Sequence, residues 1–136
     1  MTNAFAKYTK GLGWQGDNGI TITGGNQGDH DSVNLILDIG DRIDADIKKY
    51  KIVFTGYAKT AHGSYPLKRF SPVLTIENDR ITYPIPREIT KHAVTYHCYL
   101  MSADDNVKNK KVVSDVFHFI IKPTPAFEKK VTNESC

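Results

Sequence analysis

The stretch GDHDSVNLILDIGD, residues 28–41, sets Asp29, His30, Asp31, Asp38 and Asp41 around a run of aliphatic residues. Three kinds of chemistry would use such a set, and each has a spacing rule. A calcium loop needs oxygen ligands at alternate positions and a glycine at the sixth. From Asp29 the series runs to Asp31 and then to Val33, so the third ligand position is aliphatic. Zinc takes His or Cys in pairs a few residues apart, and His30 has no such neighbour. A two-carboxylate glycosidase needs both groups beside one bond. Asp31 and Asp38, seven apart on an extended chain, point to opposite faces about 23 Å from each other. The stretch therefore reads as a strand, with Gly28–Asp31 and Gly40–Asp46 as turns whose aspartates accept backbone N–H bonds.

Other reactive residue types fail on the same grounds. Of the histidines at 30, 62, 92, 97 and 118, only His92 and His97 fall close together, beside Cys98. His97 and Cys98 are adjacent on a strand, so their side chains diverge and cannot grip one ion. No serine stands in a GxSxG setting. The glycines of GLGWQG, Gly11, Gly13 and Gly16, follow no strand and lead to no Lys-Ser or Lys-Thr, so they are not a phosphate loop. In KKYKIVFTGY, Tyr50 and Phe54 alternate away from Lys49 and Lys51, which makes them core side chains and not a stacking platform for nucleic acid. The residues predict no catalytic constellation, no metal and no cofactor; the protein is read as a non-enzyme.

The elements that carry these residues are strands. Val33, Leu35, Leu37 and Ile39 alternate with Ser32, Asn34 and Asp38, the period of two of a half-buried strand, with Ile36 the one exception. NGITITGG, KKYKIVFTGYAK, SPVLTI, DRITYPIP, AVTYHCYLM and VVSDVFHFIIK read the same way, each bounded by Gly, Pro, Asn or Asp, while TAHGSY reads as a turn. A chain of 136 residues is one domain's worth and buries roughly 68% of its unfolded surface, enough for a core without disulfides. The fold class is all-β, an antiparallel sandwich of about seven or eight strands. Residues 1–18 are read as an N-terminal arm, 19–123 as the sandwich, and 124–136 as a polar tail or the start of a linker. A net charge of +3 is mild for a nucleic-acid binder. No apolar run is long enough to span a bilayer or serve as an export signal. Cys98 and Cys136 read as free thiols of a protein made in the cytosol.

The order of these pieces carries a resemblance. A Gly28-Asp29 turn leads into the alternating Val33–Ile39, then come YKIVFTGYAK, a tip at Gly63, ITYPIP, and a closing pair with Ser114 and Phe117. Over about residues 19–123 this resembles the N-terminal domain of baseplate upper proteins of tailed phages that infect Gram-positive bacteria. His62 departs from the family, which often carries an acidic residue there. The resemblance implies an immunoglobulin-like sandwich, made in the host cytoplasm and assembled into the virion tail tip. It implies partners among the other baseplate and tail proteins, a trimeric homo-oligomer, and a link outward toward receptor-binding proteins. A different reading, a carbohydrate-binding sandwich, would need exposed aromatics on one face, with Trp14, Tyr57, Tyr65 and Tyr83 as the candidates.

The last two strands locate a partner surface. One face of a sandwich strand is buried and the other should be polar. Here Val94, Tyr96, Cys98 and Leu100 are opposed by Thr95, His97, Tyr99 and Met101. Val113, Phe117, Phe119 and Ile121 are opposed by Val112, Val116, His118 and Ile120. Both faces are apolar enough to be covered, either by the N-terminal arm or C-terminal tail folding over or by another subunit; on the second reading these eight opposed residues form the candidate assembly interface.

Overall fold

The computed structural model describes residues 2–9, 11–16, 21–41, 46–103, 114 and 116–124. Among them are ten strands: β1 (Thr2–Thr9), β2 (Gly13–Gly16), β3 (Thr21–Asn26), β4 (Val33–Asp38), β5 (Lys49–Thr60), β6 (Gly63–Phe70), β7 (Leu74–Thr75), β8 (Arg80–Pro84), β9 (Thr95–Ser102) and β10 (Phe117–Lys122). A single helical turn, α1 (Arg87–Thr90), joins β8 to β9. A smaller sheet runs β2-β1-β4-β8, and a larger one β3-β10-β9-β5-β6, with β7 pairing against the start of β5.

Alternation builds both sheets. β4 buries Val33, Leu35 and Leu37 in the pattern its sequence dictates, and β8 answers with Ile81 and Tyr83. On the larger sheet the buried series is Tyr96, Cys98 and Leu100 on β9 and Phe117, Phe119 and Ile121 on β10. One core fills the space between them, and aromatic rings bridge it. Trp14 of β2 meets Phe117 of β10 edge-on at 5.0 Å. Phe54 of β5 meets Tyr83 of β8 at 6.2 Å and packs edge-on against Phe119 at 5.8 Å. Such pairs add roughly 0.5–1.5 kcal/mol beyond the area they bury.

Local chemistry sets the turns. Asn78 and Asp79, both with positive φ, form the two central residues of the β-turn into β8, closed by mutual hydrogen bonds between Glu77 and Arg80. Asn and Asp tolerate that left-handed region better than other non-glycine residues. Gly24 answers a different demand. A Cβ there would sit 2.2 Å from the Phe119 ring, so β3 can lie beside β10 only with a bare backbone at that point.

Four expectations from the sequence change. Residues 2–9 and 11–16, read within an N-terminal arm, are part of the sandwich: β1 lies between β2 and β4, and Ala4, Ala6, Tyr8 and Trp14 are core. The sheets are mixed, because β1 runs parallel to β4 and β3 parallel to β10. TAHGSY is a turn only at Ala61 and His62, and Gly63 opens β6. The strand read from VVSDVFHFIIK begins at Phe117. Ile20, Val112, Val113 and residues 125–136 lie outside the described residues.

Candidate functional site

The acidic stretch resolves first, as structure. Asp29 Oδ2 accepts the Asn26 N–H at 3.0 Å, and Asp38 Oδ1 accepts the Gly40 N–H at 3.1 Å. His30 Nδ1 accepts the Arg87 N–H at 3.1 Å, and its Nε2 lies 3.4 Å from Asp31 Oδ2. Asp31 and Asp38 stand at opposite ends of β4. Among the described residues no group of three or more His, Cys, Asp or Glu side chains could hold a metal ion. No helix there is long and apolar enough to cross a membrane. Cys98 is a free thiol, and burial pushes its pKa well above the ordinary value, which makes it an inert core residue.

The outer face of the larger sheet is different. Thr95, His97, Tyr99 and Met101 of β9 all point away from the core, as do His118 and Ile120 of β10 and Val116 just before it. Seven of the eight residues selected from the sequence thus share one face, and Val112 lies outside the described residues. The pairing register turns them into rows. Tyr99 is opposite Val53 of β5, and Val53 is opposite Phe70 of β6. Tyr99, Val53 and Phe70 thus form an apolar row across β9, β5 and β6, and Val116 stands just before Phe117, whose partner on β9 is Cys98. Phe70 is 50% exposed and Val116 45%, while Val53, beneath its neighbours, is fully covered.

A row of cations and polar groups flanks the apolar row on each side. On one side Lys51 pairs with Met101. On the other, Lys68 pairs with Thr55, Thr55 with His97, and His97 with His118. The two imidazoles stack with centroids 4.7 Å apart, and Thr55 Oγ1 donates to the His97 carbonyl at 2.8 Å. The Lys68 ammonium sits 5.6 Å over the Phe70 ring, a cation–π contact that ties one flanking row to the apolar row. Beyond the histidines, Thr55, Tyr57, Pro66, Lys68, Thr95 and His97 line an open groove.

Sequence reasoning found the β9 and β10 share of this face and missed Val53 and Phe70. The available signal was Val53 itself, an apolar residue at an outward position between Lys51 and Thr55. Of the aromatics considered for sugar stacking, Trp14 and Tyr83 are core, whereas Tyr57 is 70% exposed and Tyr65 40%. Tyr57 and Tyr65 occupy different registers of the β5–β6 pair, opposite Pro66 and Ala58 respectively.

This arrangement offers contact area, positive charge and hydrogen-bonding groups. It brings together no nucleophile, base and orienting group of the kind acyl or glycosyl transfer requires. No curated protein matches the chain in sequence. The family model for the BppU N-terminal domain matches residues 5–135, nearly the whole length. With most of β1 and all of β2 inside the matched region, the chain belongs to the family of baseplate upper protein N-terminal domains.

Proposed function

We propose that this domain is a non-catalytic assembly module of a phage or prophage tail tip. It seats on the baseplate core through the outer face of its larger sheet and links toward receptor-binding proteins. Membership of the family makes it a baseplate structural protein that works at the virion tail tip among other tail proteins. The observation that carries the finer reading is the exposed Phe70 and Val116 with half-buried Tyr99 on one face, over a covered Val53. Apolar side chains grouped in this way are ordinary at the centre of an interface. A trimeric state and an immunoglobulin-like fold of the sandwich belong to the same reading.

The test is seating on tail particles that lack this protein. Tyr99→Asp together with Val116→Asp should keep the β-type circular dichroism spectrum and lose co-sedimentation with the particles. A double variant that seats normally would put the interface elsewhere, and light scattering after gel filtration tests the trimer separately. A second reading, a carbohydrate-binding module, is supported by exposed Tyr57 beside the groove lined by Thr55, Thr95 and His97. A glycan-array signal combined with no seating on tail particles would favour it.

A further inference from the structure

We infer that the surface docking on this face is an acidic protein surface with an apolar centre, one that sets carboxylates against Lys51 and Lys68. The inference rests on the assembly reading above and adds the chemistry of the partner.

Charge on the molecule is segregated by sheet. The strands of the larger sheet contain Lys49, Lys51, Lys59, Lys68, Arg69 and Lys122 and not one Asp or Glu. The described carboxylates all lie elsewhere, in turns, in α1 or on β4. The face is thus cationic with no counter-charge of its own among the described residues. Lys51 and Lys68 stand in the rows on either side of the apolar row. A partner that covers Phe70, Tyr99 and Val116 must bring its rim against both ammonium groups. Desolvating a cation without a partner charge is costly, so the rim that fits is anionic. Complementary potentials of this kind set the speed and specificity of docking.

Two rival occupants fit less well. Face-to-face pairing of two copies would bring like charges together, since each copy presents the same lysines. A nucleic acid would meet the apolar Phe70, Tyr99 and Val116 where its phosphates need a continuous basic stripe.

The experiment uses the full chain and tail particles purified without it, at 50 and 500 mM NaCl. Wild type should seat tightly at low salt and lose affinity at high salt. Lys51→Glu with Lys68→Glu should weaken seating on the order of tenfold or more, Lys51→Gln with Lys68→Gln by less, and Lys51→Arg with Lys68→Arg should bind as wild type does. Circular dichroism of each variant reports its fold. If Tyr99→Asp with Val116→Asp abolishes seating while the Glu and Gln pairs bind normally at both salts, the face stands and the acidic partner is overturned. If the Asp pair also seats normally, the assembly reading itself fails. Loss of duplex-DNA retention, or a change in the mass of the protein alone, with seating untouched by the Glu pair, would assign the face to nucleic acid or to a second copy and overturn the inference.

Discussion

The two sheets share one core and differ in what they turn outward. On the smaller sheet a single cross-strand row sets Lys7 opposite Asp38 and Asp38 opposite Arg80, so a carboxylate stands between two cations. The same sheet's outward aromatic, Phe5, lies under the Arg80 guanidinium at 5.5 Å. Opposite charges paired across strands contribute roughly 0.2–1 kcal/mol each, and this face completes itself. On the larger sheet the matching row runs Lys68, Thr55, His97, His118, with no anion, beside Phe70 and Val116, which are 50% and 45% exposed. The difference teaches that outward apolar residues alone do not mark an interface. Phe5 and Ile36 face outward too, opposite each other. What sets the larger sheet apart is an apolar row over three strands together with lysines that have no carboxylate on the same strands.

The largest effect is expected where the sheets are alike, in the shared core. Trp14→Ala should cost about 3–5 kcal/mol, as for other buried large aromatics, measured by urea unfolding. A cost near zero would return β2 to the status of an arm and break the comparison at its base. Next comes the contact of β3 with β10. Gly24→Ala should cost on the order of 1–3 kcal/mol by overpacking against Phe119, and Phe119→Leu in the same chain should recover part of it. Additive losses in that pair would mean that the two side chains do not compete for the same space.

A smaller effect belongs to two buried phenols. Tyr96 donates to the Ile89 carbonyl at 2.8 Å, and burial raises its pKa to about 12. Burial, with Glu88 and Asp31 behind it, raises Tyr83 to about 12 as well. A phenol with a raised folded pKa favours the folded state while it is neutral. Its contribution is therefore whole below pH 10, the ordinary tyrosine value, and is lost as pH climbs toward 12. Tyr96→Phe should cost about 1 kcal/mol at neutral pH and make alkaline unfolding shallower between those values. An unchanged alkaline profile would remove Tyr96 as a cause.

The smallest expected stability change makes the sharpest comparison. Phe70→Ser on the larger sheet and Phe5→Ser on the smaller should each shift stability by no more than about 0.5 kcal/mol, as for ordinary surface sites. Only Phe70→Ser should weaken seating on tail particles. Equal loss from both would erase the distinction between the faces.

How much of this could be read in advance depends on how much each strand buries. β4 and β9 each bury a full alternating series, so their sequences show it. β1 buries alanines at 4 and 6, whose small side chains carry little hydrophobic signal, so its sequence reads as an arm. β6 buries Leu67 alone and contains Pro66, which is tolerated at a sheet edge but lacks the N–H a central strand would use. An edge strand with one buried residue has no visible period. The face on β9 and β10 was legible because apolar residues occupy both faces of each strand. Its extension to Val53 and Phe70 was not, because cross-strand register joins residues with no local relation. The parallel pairings of β1 with β4 and of β3 with β10 escaped for the same reason.

The seat of β3 against β10 also orders the folding of the molecule in time. Thr124 donates to the Gln27 carbonyl across a separation of 97 residues, and β3 finds its sheet partner only in the last described strand. During synthesis β3 must wait, its backbone groups held by water, until residues 117–122 have left the ribosome. Pairings this distant in sequence carry a large loop-closure entropy and fold slowly. Any nascent chain shorter than β10 also lacks Phe117 and Phe119, the rings that meet Trp14 and Phe54. The two sheets therefore close on each other late, after translation has passed β10, and the cationic outer face is completed in that same final step.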